Sequence, residues 1–316
     1  MQTFQNILYL KHALKQASTT GLQQALRLAH HNQVPLTVLA LYPDLPLEQI
    51  TYRDAYWSAL YENAEQLLNT TQAQMGWAEA EWVEIKWHWA NLNLPAAVST
   101  VKQVLRSGHD LLIKEAELKN NGIGFKALDM TLLRKCPCPV WLAYPQPIAA
   151  NWRIAVAINP ESRSMEEQQL SIRLLQLAQH LAEQSTGKLA IVSCWDYPFE
   201  DYLRYNARVN VPHEVVLKNV LDTQNTHRAL LEDLLSHVGN PLAANQRVYH
   251  LRGIADKIIP QWLAHHPIDL LVMGTVARSG IKGFLMGNTA ENIVEELATS
   301  LLALKPEGFV STITLD

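Results

Sequence analysis

Asp269-Leu-Leu-Val-Met-Gly-Thr-Val-Ala-Arg-Ser-Gly-Ile-Lys-Gly-Phe-Leu-Met-Gly-Asn-Thr-Ala-Glu291 is the stretch from which the fold is read. It opens on an apolar strand, passes through a loop holding Gly274, Gly280, Gly283 and Gly287, and enters a helix expected over about Thr289 to Thr299. Asn288 is the expected N-cap, and Glu291 three residues on completes a capping-box variant. A glycine-containing loop between a buried strand and a helix N-terminus can cradle a phosphate, because the backbone comes close and free N–H groups point at the anion. Such a site lies at the carboxyl ends of the strands, where an open α/β sheet reverses its strand order. The plainer reading is a tight loop before a well-capped helix.

Working outward, the pattern occurs twice. Asp110 precedes Leu111 to Ile113, as Asp269 precedes Leu270 to Met273. Five strands are expected in the first half: Ile7 to Leu10, Leu36 to Tyr42, Trp82 to Trp89, Asp110 to Ile113 and Val140 to Ala143. Five more follow: Ile154 to Ile158, Leu189 to Cys194, Arg247 to Leu251, Asp269 to Met273 and Leu301 to Leu304. Helical faces lie between them, such as Trp57, Leu60, Ala64 and Leu67, or Leu170, Leu174, Leu177 and Leu181. Asp196 to Asp233 breaks the alternation and reads as a loop followed by a helix. Alternating strand and helix, with strands that are apolar throughout, predicts parallel α/β sheets covered on both faces. Two domains are expected, 1–148 and 151–316, joined by a short Pro-containing linker.

Composition narrows the function. The 316 residues are 48% hydrophobic and 18% charged, which excludes disorder as the main state. No apolar run is long enough for a membrane-spanning helix. Residues 1–6 lack the pattern of a signal peptide, so a cytoplasmic protein is expected. The net charge of −4 falls entirely in the second half; residues 1–150 carry 12 basic and 12 acidic side chains. Neither half has the basic footprint of a nucleic-acid binder, and anionic membranes are disfavoured likewise.

The loop quoted above resembles the C-terminal signature of the universal stress protein family: Gly, two residues, Gly, nine residues, Gly, then Ser or Thr. Here Gly274 and Gly287 match, Ala277 replaces the middle Gly, and Asn288 replaces Ser/Thr, with Thr289 next. Gly108 to Leu112, Leu132 to Trp141 and Gly287 to Glu291 are similar to the tandem branch of that family. The resemblance implies two tandem five-stranded parallel, Rossmann-like domains packed as an internal pseudo-dimer. It also implies a non-catalytic stress-response protein that binds a small ligand, with ATP or another nucleotide-like molecule as the candidate. The implied ligand residues are Asn159, Gly274, Thr275, Ala277, Gly287, Asn288 and Thr289, with Arg278 or Lys282 able to add charge. Asn159, and His12 in the first copy, stand where nucleotide-binding members carry Asp. The first copy places Lys114 opposite Met273 and Glu115 opposite Gly274, so a carboxylate stands where a phosphate loop begins and ATP binding in the family manner is not expected there. A scaffold with vestigial pockets and protein partners, and a slow ATPase, are the alternatives; the chain is expected to be a monomer or a homodimer.

Other signals are weaker. Cys136-Pro137-Cys138 lacks a second ligand pair and redox-motif spacing, and reads as structural, as does Cys194. His30-His31 and His265-His266 sit at helix ends, where histidine is favourable. Trp82, Trp87 and Trp89 read as an aromatic-rich strand. No P-loop, nucleophile elbow or zinc-protease motif is present, and no metal site is expected.

Overall fold

The structure is a computed structural model that describes residues 4–12, 18–146, 151–162, 164–206, 208, 211–238, 245–275 and 286–315. Two compact units divide it. The first holds the described residues between 4 and 146 together with 298–315; the second holds those between 151 and 275 together with 286–297.

In the first unit the strands are β1 (Ile7–His12), β2 (Leu36–Tyr42), β3 (Ile85–Asn91), β4 (Leu111–Glu115) and β5 (Val140–Ala143). Helices α1 (Thr20–Asn32), α2 (Arg53–Gln74), α3 (Ala96–Ser107) and α4 (Ala127–Lys135) alternate with them. The sheet order is β3-β2-β1-β4-β5, all parallel. The central strands are buried on both faces, which is why Ile7 to Leu10, Leu111 to Ile113 and Val140 to Ala143 are uniformly apolar. Edge strand β3 alternates exposed and half-buried residues instead.

The second unit repeats this with β6 (Arg153–Ala157), α5 (Met165–Gln184), β7 (Lys188–Trp195), α6 (Glu200–Tyr205), α7 (His213–Ser236), β8 (Gln246–Arg252), α8 (Ala255–His265), β9 (Leu270–Gly274) and α9 (Asn288–Glu295). Its parallel order is β9-β6-β7-β8. Ser164 caps α5 by accepting from the Glu167 amide. In both units the chain reverses direction of winding beside the first strand, between β1 and β4 and between β6 and β9. These are the switch points where ligands of open α/β sheets sit.

The last strand, β10 (Ser300–Leu304), pairs antiparallel with β5 and is grouped with the first unit. Three expectations need adjusting. β3 starts at Ile85 rather than Trp82, because Glu79–Glu81 forms a 3-10 turn and the Val83 amide is held by Gln72 Oε1 at 2.8 Å. The segment after Asp196 contains α6 before α7. Helix α9 stops at Glu295, where the Glu296 and Leu297 amides turn back onto Ile293 and Val294.

Gly187 joins α5 to β7 where the chain passes over Trp152. A Cβ there would lie 2.1 Å from the Trp152 carbonyl oxygen and 2.9 Å from its nitrogen. Both are backbone atoms, and that oxygen also accepts from Lys188 N. Gly187→Ala is therefore expected to cost roughly 1–3 kcal/mol, read as a lowered midpoint in urea unfolding with the slope unchanged.

Candidate functional site

In the second unit, β9 delivers Gly274 and Thr275 to the carboxyl edge of the sheet. The Gly287 amide donates to the Thr275 carbonyl at 3.1 Å, and the Gly287 carbonyl accepts from Glu291 N at 2.9 Å. Gly287 is thus the N-cap and Asn288 the first helical residue. This corrects the expected Asn288 cap: the backbone tie to Thr275 opens the helix one residue early, and no side-chain cap bond forms. Asn288 and Thr289 are exposed, Thr275 is buried. The amides of the first helical turn have no acceptors within the helix, so this edge presents donors to solvent. Asn159, beyond the neighbouring β6, is exposed; its Oδ1 accepts from Glu161 N at 3.0 Å in a local turn. Ala277, Arg278 and Lys282 lie outside the described residues. A Cβ on Gly274 would meet Leu170 Cδ2 at 2.9 Å, so a larger residue there would have to displace that side chain of α5.

The first unit's crevice has different chemistry. A cavity of about 240 Å³ opens at the carboxyl ends of β1 and β4, lined among others by Tyr9, Lys11, His12, Lys114, Glu115 and Glu117. Glu115 reaches the start of α1, where its Oε1 accepts from Gly21 N at 2.6 Å and Leu22 N at 3.4 Å. Thr19, the residue before α1, makes no side-chain cap bond, so Glu115 supplies the anion that the helix terminus favours. Burial pushes the Glu115 carboxyl up to about 7, against the pull of the two amides and Lys114. Burial, and then the neighbouring Glu115, push the Tyr9 hydroxyl well above its ordinary value.

Lys114 does not serve as a free counter-charge. Its Nζ lies 2.7 Å from Asp129 Oδ1 and 3.3 Å from Glu117 Oε1, and donates to the Glu115 carbonyl at 2.8 Å. Asp129 is fully buried and its Oδ2 accepts from Glu117 N at 2.6 Å. Burial raises the Asp129 carboxyl even so, with Lys114 opposing. The crevice therefore carries its own anion at the helix terminus and has its buried lysine neutralised.

The family model described as the universal stress protein family matches residues 154–305. Universal stress protein E of Escherichia coli strain K12 is 30% identical over 240 residues, which cover 74% of this chain and 72% of that one. The chain belongs to the universal stress protein family. Universal stress protein E of Photorhabdus laumondii is 28% identical over 231 residues, 72% of this chain and 70% of its own. Among solved structures, one from Pseudomonas aeruginosa UCBPP-PA14 matches with a TM-score of 0.72 at 21% identity, covering 97% of this chain and 95% of that chain. A universal stress protein from Archaeoglobus fulgidus DSM 4304 matches with 0.57 at 13%, covering 95% and 98%. These structural likenesses are of fold.

Within this family member, the residues that sequence reasoning missed are Gly21, Glu117 and Asp129. Gly21 and Asp129 contact the Glu115–Lys114 pair from 94 and 15 positions away. The available signal was local: adjacent Lys and Glu at the end of a buried strand demand partners.

Glu115 makes stability depend on pH with a defined sign. Its folded value of about 7 stands above the ordinary 4.5. The folded chain holds this proton more tightly, so the contribution is complete below pH 4.5 and lost as pH rises through 7. Glu115→Gln is expected to change stability little near pH 4.5. Relative to the parent it should gain progressively up to pH 7, by as much as about 3 kcal/mol, and level off above. Chemical unfolding of both chains across this range measures the difference, and a difference independent of pH would show that Glu115 does not titrate in this window.

Proposed function

We propose that this universal stress protein is a non-catalytic, cytoplasmic stress-response protein that binds a small phosphate-containing or nucleotide-like ligand at the switch point of its second unit. The observation that carries this reading is the bond from Gly287 N to Thr275 O. It closes the β9–α9 connection so that the first amides of α9, at Asn288 and Thr289, stand at the carboxyl edge of the sheet, where an anion is favoured by both the free donors and the helix dipole. Gly274 and Asn159, with Ala277 from the sequence signature, are the further residues of the proposed set. The groups on offer are amides, a hydroxyl and a carboxamide, which bind and orient an anion without transferring protons. In the first unit Glu115 stands in the crevice and bonds the start of α1, so the same ligand is disfavoured there.

One observation favours a protein partner instead. Phe199, Tyr202 and Tyr205 are 60%, 58% and 79% exposed around α6. An absence of any ligand effect, with a protein that co-purifies stoichiometrically, would favour that scaffold role.

The test places a negative charge at the helix start. Thr289→Glu should leave the melting temperature of the free protein unchanged or slightly higher, because an acid in the first turn suits the helix dipole. ATP, AMP and inorganic phosphate are titrated into both chains. The parent's upward shift with the phosphate-bearing ligand should disappear in the variant. An equal shift in both would place the ligand elsewhere.

A further inference from the structure

At the opposite, amino end of the first unit's sheet lies a cluster that ligand binding does not use. Helix α4 ends at Cys136, whose amide donates to the Leu132 carbonyl at 2.9 Å, and Pro137 leads to Cys138 just before β5. The two sulfurs lie 3.5 Å apart and both side chains are buried. β10 pairs with β5 so that Ala303 faces Val140. Continuing that register by two residues sets Lys305 opposite Cys138. Lys305 is only 4% exposed, and its Nζ has no hydrogen-bond partner. It rests over the Phe309 ring, 5.0 Å from the centroid.

A buried ammonium without an anion is costly, and such groups either find a counter-charge or lose their proton. Asp110, opposite Cys138 in the β4–β5 register, is committed to the Gln5 and Asn6 amides at 2.6 and 3.0 Å. The two thiols are the groups whose charge acts on Lys305. Burial opposes ionisation of Cys136, but the hydrogen bond from Cys138 and the charge of Lys305 outweigh it and hold Cys136 below the ordinary thiol value. Cys138 moves the other way, as the donor to Cys136 and by burial. Burial also lowers Lys305, with both thiols resisting. Of the two sulfurs, Cys136 is the one whose ionisation the neighbours favour.

We propose that Cys136 and Cys138 are an oxidisable dithiol, a covalent modification site in which Lys305 holds Cys136 as the thiolate and a small hydroperoxide closes the pair into a disulfide. The Cys136 sulfur attacks one oxygen of hydrogen peroxide; the O–O bond breaks, the sulfur becomes a sulfenic acid, and the departing hydroxide takes the Cys138 proton to form water. The Cys138 thiolate then attacks the Cys136 sulfur, the S–O bond breaks, and the second hydroxide takes a proton from Lys305 to form a second water. The two sulfurs together lose two electrons and the peroxide gains them. Lys305 ends neutral, as its burial requires once no thiolate remains. Bond formation brings the sulfurs from 3.5 Å to about 2.05 Å. The burial of both sulfurs restricts the oxidant to a small, uncharged one.

The test uses the full chain with Cys194→Ser, which removes the third thiol. Native protein is treated with hydrogen peroxide and its peptides are weighed. The expected product is the Cys136–Cys138 peptide lighter by two hydrogens and restored by dithiothreitol. In Cys138→Ser, Cys136 should stop at the sulfenic acid and be trapped by dimedone. Lys305→Met should slow the reaction roughly ten-fold or more, since the thiolate is the nucleophile. Two free thiols in native protein under peroxide that oxidises the unfolded chain would overturn the proposal, as would an undiminished rate in folded Lys305→Met. If that variant does not fold, the pH dependence of the parent's rate decides. A rate nearly flat between about pH 7 and 9 is expected for a thiolate already formed, and a ten-fold rise per unit would overturn it.

Discussion

Both units hang on an aspartate at the start of a central strand. Asp110 accepts from the amides of Gln5 and Asn6, and its own amide donates to the Asn6 carbonyl at 3.0 Å. Asp269 accepts from the Arg153 amide at 2.9 Å and returns a bond to the Arg153 carbonyl at 2.8 Å. The Arg153 guanidinium closes the second clamp, 2.6 Å from Asp269 Oδ1. Bonds from amides to a carboxylate are among the stronger ones available to a backbone. Each clamp sets the register of the fourth strand on the first: Ile7 on Leu111, and Ile154 on Leu270. A slip of one residue would turn every buried side chain of β4 or β9 to the other face. With the register fixed at the amino end, the carboxyl ends of β1 and β4, or β6 and β9, finish level, and a crevice forms beside them.

The two crevices then diverge through one exchange of bulk. In the second unit the strand residue is small and the helix residue large: Gly274 faces Leu170 of α5. In the first unit the helix residue is small and the strand residue large: Gly21 of α1 faces Glu115, whose Cδ would lie 3.1 Å from a Cβ built on that glycine. Each glycine is explained by its neighbour across the strand–helix contact. The exchange has an electrostatic consequence. The large residue in the first unit is a carboxylate, and it satisfies the start of α1 from inside the fold. The large residue in the second is a leucine, and there the start of α5 is served by its own N-cap, Ser164.

The strands and the repeat were legible in the sequence because a central parallel strand must be apolar throughout, and Asp110 and Asp269 announce themselves before two such runs. Boundaries failed where an apolar residue is held by something other than a strand partner. Val83 is buried, yet its amide belongs to Gln72 and not to the sheet. The pairing of β10 with β5 was not legible either. Leu301 to Leu304 is apolar in a manner that suits a parallel or an antiparallel neighbour equally, and nothing in four residues says that Leu301 pairs with Leu142. At the site, the substitution of Glu115 for glycine was visible, but its role was not, since Gly21 and Glu115 meet only when β1 and β4 are already adjacent.

Lys114 shows how charge misleads before burial is known. In sequence, Lys114 beside Glu115 reads as a charge able to offset the carboxylate's repulsion of a phosphate. In the fold it is 5% exposed and bound by Asp129 and Glu117, so its charge is used up before any ligand arrives. Lys305 is equally buried, yet of the two buried lysines among the described residues it is the one whose ammonium lacks a hydrogen-bonded partner. The equal numbers of acids and bases in the first half therefore say little about what that unit binds. Charge that is paired inside the fold defines structure, and reactivity concentrates where a buried charge has only soft, oxidisable groups to answer it.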